Sequence, residues 1–463
     1  MTQRTDCQGA SSLAVLSPAN RPAGRLATSQ VESGTDIEPV TDKEAMVTQA
    51  ETAQSRQRQY LYDWNKIGEA EINAPSTVEI DDETLRDGLQ SPSVRQPGLG
   101  EKIEILHYME AIGIHAADIG YPGAGPKVLD HVVALAEEIS REGFKIVPNC
   151  AGRTHPSDIL PIAEAQQRSG VPIEAALFLG SSPIRQFVEG WDVDFLTRTT
   201  AEAVTLALRE GLDVMYVTED TTRADAEVLR KVYTAAIEAG ARRICLADTV
   251  GHATPWGVSA LVGFVCEVVA DTGEDVKIDW HGHRDRNLSV ANSLAALSAG
   301  AHRVHGCGLG IGERVGNTPM EILLVNLKLL GWLEPDLRVL PAYCNAISKA
   351  TDTEIPSNTP AIGKDAFETS TGVHAAAVLK AMRTGDTWLA NRIYSGVPAE
   401  ELGREQEITV GPMSGKANAV AWLTKRGHEC DEATIDKILD MAKASDHVLA
   451  EHEILGVLSS TTV

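Results

Sequence analysis

His281-Gly282-His283-Arg284-Asp285 closes an apolar, strand-compatible run from Val276 to Trp280, so side chains two residues apart put two imidazoles on one face of a strand end. That is half of a metal site. A second strand end, Val78-Glu79-Ile80, leads into Asp82-Glu83-Thr84-Leu85-Arg86-Asp87-Gly88-Leu89-Gln90. Asp87 with His281 and His283 offers the oxygen and nitrogen ligands that suit Mg²⁺, Mn²⁺ or Zn²⁺ with positions left open for substrate, and Arg86 adds a fixed positive charge beside them. A His-x-His alone is more often packing or surface. Its place at a strand end, with an Arg-Asp pair at another, points to chemistry.

Other polar residues fall at similar positions. Gly306 to Asn317 is dense in glycine, which lets backbone approach a ligand closely, and Asn317 is placed to complete or support the metal shell. The stretch lacks the GxxxxGK[ST] spacing of a phosphate loop, and Cys307 within it reads as a small loop residue before it reads as a catalytic thiol. Glu219 follows a fifth apolar run and suits an acid/base or orienting group. Arg153 has the guanidinium to clamp a substrate carboxylate bidentately, and Thr249 the hydroxyl to donate to it. His374, in Thr371-Gly372-Val373-His374, is either a surface histidine or a group delivered across a domain or subunit contact.

The elements that must position these residues are legible as rhythm. Short apolar runs recur at Val78, His115 to Ile119, Phe144 to Pro148, Ile173 to Leu179, Asp213 to Thr218, Arg243 to Ala247, Val276 to Trp280 and Ala301 to His305. Helix-length segments such as Gly100 to Ile112 and Thr200 to Glu210 separate them. Eight β-then-α units over about 250 residues predict an α/β fold of the (β/α)8 TIM-barrel class, and a barrel gathers Asp87, Asp118, Arg153, Glu219, Thr249 and His281 on one face. A doubly wound sheet is the rival, but it does not so naturally join the first and seventh strands. The predicted division is a disordered tail over 1–74, the catalytic barrel over 75–335, and an appended, dimer-forming helical region over 336–463. In that last part helices are expected within Ala366 to Arg383, over Ala417 to Arg426 and over Glu432 to Ala444.

Composition bounds the partners. A chain of 463 residues with 43% hydrophobic content can bury a core spanning two or three domains, and a formal net charge of -24 argues against nucleic acid or an anionic membrane as the main partner. Seven scattered cysteines with no CxxC spacing fit a reduced, cytoplasmic protein. No uninterrupted apolar segment is read as membrane-spanning, and arginines among Ser, Thr and Ala near the N-terminus are read as a tail before a transit peptide.

Taken together the motifs resemble the DRE-TIM metallolyase superfamily, in its Claisen-condensing branch of 2-isopropylmalate, homocitrate and citramalate synthases. The likeness runs from about Val78 to Lys416. It is carried by Thr84-Leu85-Arg86-Asp87-Gly88-Leu89-Gln90, His281 to His283, Asn292, Gly310 to Asn317, and Thr371 to His374. It implies attack by the enolate of acetyl-CoA or another acyl-CoA on a metal-bound 2-oxo acid, then thioester hydrolysis. Asp87, His281 and His283 would hold the metal, with Asn317 a further ligand or support. Arg86 would stabilise oxyanion charge, Glu219 and His374 would move protons, and Gln90, Asp118, Arg153 and Thr249 would face substrate. In this branch the appended region reaches the neighbouring subunit, so the resemblance also implies a homodimer.

The chain departs from the pattern in places. Asp118 stands where the arginine's acidic partner is usually Glu; no Tyr occurs between Gly403 and Gly415, which leaves Tyr394 or Gln406 as stand-ins; Asn287 and Ser289 follow the His-x-His motif in place of smaller residues; and Arg185 replaces a common His. These suggest a specialised acceptor. The short C-terminal part argues against an allosteric leucine-binding module. The competing reading is an acyl-CoA lyase of the same superfamily, suggested by Cys307. A catalytically silent binding protein is disfavoured by the presence of Arg86, Asp87, His281 and His283 together.

Overall fold

A computed structural model describes residues 60–66 and 74–459. The chain divides into two units, Met1–Glu71 and Ile72–Val463. Most of the tail expected over 1–74 lies outside the described residues; in the first unit, Trp64–Lys66 forms one 3₁₀ turn.

In the second unit, strands β1 (Glu79–Asp82), β2 (Ala116–Asp118), β3 (Val147–Arg153), β4 (Glu174–Gly180), β5 (Asp213–Glu219), β6 (Arg243–Asp248), β7 (Lys277–Gly282) and β8 (Arg303–Gly306) pair in parallel and in chain order, and β8 closes on β1. Helices α1 (Leu99–Ile112), α2 (Pro126–Glu142) and α3 (Pro156–Ser169) follow β1 to β3. After β4 come α4 (Pro183–Glu189) and α5 (Val193–Arg209), and then α6 (Ala226–Glu238), α7 (Pro255–Thr272), α8 (Ser289–Ala299) and α9 (Met320–Leu330) follow β5 to β8. This is the expected TIM barrel. Its site residues lie where such folds carry chemistry, at the carboxyl ends of the strands.

Alternation along the strands explains both layers of the core. Ile80, Leu177, Tyr216, Ile244, Ile278 and Val304 are fully or almost fully buried in the layer between strands and helices, each large aliphatic contributing about 1.5–3 kcal/mol. The alternate residues fill the barrel, and its lower half is ionic. Asp279 accepts from Arg243 at 2.7 Å and from Arg303 at 2.6 Å, Arg303 also reaches Glu174 at 2.7 Å, and Asn149 donates to both oxygens of Asp81. Buried charge of this kind persists only when paired.

The third strand begins later than the expected Phe144. Gly143 takes φ 67°, and the Phe144 amide turns back to the Ile139 carbonyl, so Phe144 belongs to the helix C-cap and packs on His107. The strand proper uses Asn149, Cys150, Ala151 and Gly152, residues without strong strand preference that the barrel imposes. The membrane expectation also needs amending, because α7 is by length and composition long and apolar enough to span a bilayer. It is a wall helix between β6 and β7, with Val258, Val262, Val265 and Val268 buried.

Beyond residue 335 the chain does not leave the barrel at once. Helix α10 (Leu340–Thr351) packs on α1, with Leu340, Tyr343 and Ile347 in the barrel core. Past it, β9 (Glu368–Thr369) pairs with β10 (Glu407–Ile408), and α11 (Gly372–Arg383), α12 (Thr387–Ala390), α13 (Lys416–Lys425), α14 (Glu432–Ala444) and α15 (Glu451–Ser459) form the helical region. Trp422, Leu423, Ile438, Leu439 and Ile454 make a separate small core there. Helix α15 was not expected from the sequence.

Candidate active site and metal centre

Residues Asp82 to Gln90 leave β1 in a tight turn that sets Arg86 and Asp87 at the barrel mouth. The Arg86 guanidinium is fixed on three sides: Nε donates to Asp118 at 2.6 Å, Nη1 to Asp87 at 2.7 Å and Nη2 to Glu83 at 3.2 Å. Burial alone would favour its neutral form, but the carboxylates of Asp118, Asp87 and Glu83 outweigh that and hold its pKa well above the usual value. Asp118 therefore positions Arg86 rather than lining the mouth, and its shorter arm reaches. Burial pushes the Asp118 carboxyl up to about 7 against the pull of Arg86.

Asp87, His281 and His283, all buried, have potential ligand atoms within 4.8 Å of one another. His281 is aimed by Glu83, whose Oε2 lies 2.6 Å from Nδ1, and this leaves Nε2 toward Asp87 at 3.9 Å. Glu83 is itself anchored by His305 at 3.1 Å, and His305 by Asp279 at 3.0 Å, so the ionic lower half of the barrel orients the upper. Burial, and then its neighbour His281, lower the pKa of His283 to about 4, keeping the imidazole in its neutral ligand form.

Two buried atoms here lack a protein partner: His283 Nδ1 and Asn317 Oδ1. Unsatisfied buried polar atoms are costly and call for an explanation. A divalent cation among Asp87, His281 and His283 would supply it, so the donor set fits the ion that the sequence implied. Asn317 is tied to the same group, with Nδ2 donating to Asp87 at 2.9 Å. The glycine loop makes this possible: at Gly316, with φ 97°, a Cβ would collide with the Gly310 carbonyl at 1.8 Å, and at Gly312 one would strike the Asn317 amide at 2.3 Å.

The mouth is a cavity of about 300 Å³ lined by Arg86, Asp87, His281 and His283, and also by Gln90, Glu219 and Thr249. Burial raises the Glu219 pKa, while Arg185 at 3.6 Å draws it back. The Thr249 hydroxyl already accepts from the Asp220 amide at 2.8 Å. Arg153 is the misplaced member of the predicted set. It is not among the mouth residues but folds back in a two-pronged pair on Asp158, at 2.7 and 2.9 Å, because that carboxylate is buried in the first turn of α3.

His374 is likewise absent from the mouth of its own chain. It is exposed on α11, with its ring stacked on Tyr394 at 4.2 Å, whereas Gln406 lines a different cavity in the helical region. Cys307 is completely buried against Asn317 and Gly88, and burial raises its thiol pKa well above the usual value. Glu83, His305, Glu313 and Arg314 line the mouth and were missed. For Glu83 and His305 the signal existed in strand alternation, one step above Asp81 and Arg303.

The HMGL-like family profile matches residues 77–341. Among curated relatives, the homocitrate synthase AksA of Methanopyrus kandleri is 32% identical over 377 residues, which is 81% of this chain and 89% of that protein. A probable 2-isopropylmalate synthase of the same organism is 31% identical over 382 residues, 80% of this chain and 70% of the other, and its putative (R)-citramalate synthase is 30% identical over 377 residues, with 81% and 70% covered. The solved HMG-CoA lyase of Bacillus subtilis shares the barrel fold with TM-score 0.51 and 20% identity, covering 62% of this chain and 97% of that one.

Proposed function

This chain belongs to the HMGL-like family, in the Claisen-condensing branch of the DRE-TIM metallolyases, and from that membership we propose that it joins an acyl-CoA, acetyl-CoA in the simplest case, to a 2-oxo acid and then hydrolyses the thioester. The observation that carries the reading is the pair of orphaned buried atoms, His283 Nδ1 and Asn317 Oδ1, beside Asp87 and the triply held Arg86. What a divalent ion on Asp87, His281 and His283 supplies is Lewis-acid polarisation of the ketone.

The remaining work falls to the chain's own groups. An α-proton of the thioester passes to a base, for which Glu219 is placed at the mouth, and the resulting carbanion forms the new carbon–carbon bond at the ketone carbon. Arg86 faces the oxygen that gains charge, with a guanidinium that cannot swing away while three carboxylates hold it. Water then cleaves the thioester and free CoA thiol leaves. His374, exposed and outside its own mouth, acts on this reading in the mouth of a second copy, which makes the working form a homodimer. Cys307, the residue that suggested the lyase alternative, is buried with no thiol surface to offer. The described cysteines are unbridged, in keeping with the reduced, cytoplasmic setting we propose.

Thiol release from acetyl-CoA with a set of 2-oxo acids, run with and without added Mg²⁺, Mn²⁺ or Zn²⁺, tests the proposal. Condensation product with metal-dependent thiol release is expected. His283→Ala should lose both bound metal and turnover while keeping its melting temperature within a few degrees. Full activity with undiminished metal in that variant would sink the site.

A further inference from the structure

A second cavity, of about 480 Å³ against about 300 Å³ at the mouth, lies in the helical region. It opens between α11, α12, β10 and α13, at the far end of α11 from His374. Its floor is apolar, because Leu379, Ile408 and Ala421 pack there with Ala375 and Val378 in a small core of their own. One polar side chain breaks that floor. Gln406 is 6% exposed, and its Nε2 is a buried donor with no partner. A hydrogen bond left unmade in this way is costly, and an apolar side chain of similar size would avoid the cost.

The other polar groups around the cavity decide what meets that donor. Asp386 caps α12 by accepting from the Leu389 amide at 3.2 Å, and Glu405 lies 3.5 Å from Lys425. Near the ends of α11 and α13, the carbonyls of Ala381, Met382, Leu423 and Thr424 accept from the amides that follow them. These acceptors are engaged. Arg383, in the cavity wall, has no carboxylate partner among the described residues. Two donors, one of them cationic, are therefore left over, and oxygens that satisfy both belong to an anion, with the floor suited to carbon attached to it.

We propose that this cavity binds a small organic monocarboxylate, its carboxylate held between Gln406 Nε2 and Arg383 and its hydrocarbon chain, roughly six to ten carbons, laid on Leu379, Ile408 and Ala421. The inference is independent of the condensation reading, since the cavity shares no lining residue with the mouth. An ammonium on the ligand gains nothing here. Asp386 and Glu405 are already committed, and the added charge would face Arg383.

Calorimetric titration of the full chain with octanoate, 1-octanol, octylammonium and 2-aminooctanoate reads the site without turnover. Octanoate should bind saturably and about 10-fold or more tighter than the other three, the margin of a charge-assisted contact over a neutral or repelled one. Gln406→Leu should weaken octanoate by about 10- to 100-fold, the scale of a hydrogen bond to a charged group, while raising the melting temperature of the free protein because the orphaned donor is gone. Arg383→Gln should weaken it by about fivefold, as for an exposed ion pair. Arg86→Ala, at the mouth, should leave octanoate binding unchanged. No saturable octanoate binding, tighter binding of octylammonium or 2-aminooctanoate, or an affinity unmoved by Gln406→Leu would overturn the inference. Loss of binding in Arg86→Ala would do the same, by placing the acid at the barrel mouth. If Gln406→Leu fails to fold, the exposed Arg383→Gln carries the test, and an unmoved affinity there counts equally against the site.

Discussion

Arg86 shows how much one side chain depends on its setting. Its three carboxylate contacts fix a planar fork at the mouth, and a guanidinium meets Asp118, Asp87 and Glu83 from three separate nitrogens held in one plane, whereas the three donors of an ammonium radiate from a single atom. Arg86→Lys keeps the charge and loses the geometry. We expect kcat to fall by about 100-fold or more, in line with loss of an oxyanion donor, with metal content unchanged; a rate within about threefold of wild type would remove Arg86 from the transition state. Glu83 acts one step further out, through the Nδ1 atoms of His281 and His305. Glu83→Gln should weaken metal binding by about 10- to 100-fold, as changes behind a ligating histidine do. Equilibrium dialysis against Mn²⁺ checks it, and unchanged affinity would mean that His281 needs no such support.

At the scale of elements, α10 is tied into the barrel by a polar contact. The Tyr343 hydroxyl donates to Asp82 Oδ2 at 2.5 Å, while Thr84 donates to Asp82 Oδ1 from its amide and hydroxyl. Burial raises the Asp82 pKa from its ordinary 3.8 to about 6, with the bonds from Thr84 and Tyr343 opposing the rise. The folded state therefore holds the Asp82 proton more tightly than the unfolded chain, so the stability from this group is present below pH ~4 and is lost as pH rises through about 6. Tyr343→Phe removes one opposing bond and leaves a buried acceptor short, which should cost about 1–3 kcal/mol. The loss should be larger at pH 8 than at pH 5, because the ionised carboxylate is the form that misses the donor. Urea unfolding at both values measures it; an equal or smaller loss at pH 8 would show that Asp82 is not the group concerned.

For the whole molecule, the placement of His374 is the question. It lies on α11 with Val373 and Met413, each 74% exposed, nearby in sequence or across the Gly372–Met413 backbone bond, and with Tyr394 stacked on its ring. An isologous dimer would carry that face to a second mouth. Arg86→Ala and His374→Ala should each be inactive, and co-refolding equal amounts should restore up to about a quarter of the wild-type activity, since half the dimers formed at random contain one intact mouth. Mixtures that stay inactive while both variants dimerise would place His374 within its own chain's work or outside the reaction.

What the linear order could carry was the periodic and the local. The alternation of apolar runs with amphipathic segments requires β-then-α units, and eight of them close most simply as a barrel. The His-x-His spacing puts His281 and His283 on one strand face wherever that strand lies, and Arg86-Asp87 follows β1 for the same local reason. The tertiary structure decided what depends on neighbours distant in sequence. Asp118 met Arg86, Arg153 met Asp158, and Glu83 became the link between His281 and His305, because barrel closure brings β8 and β7 against β1 and sets side-chain directions that no single segment contains. Strand β3 began three residues late because Gly143 ended the preceding helix with a left-handed turn. The small apolar cluster inside the barrel belongs to the same class of fact, since Ala176, Met215 and Cys245 become neighbours only when β4, β5 and β6 lie side by side in register.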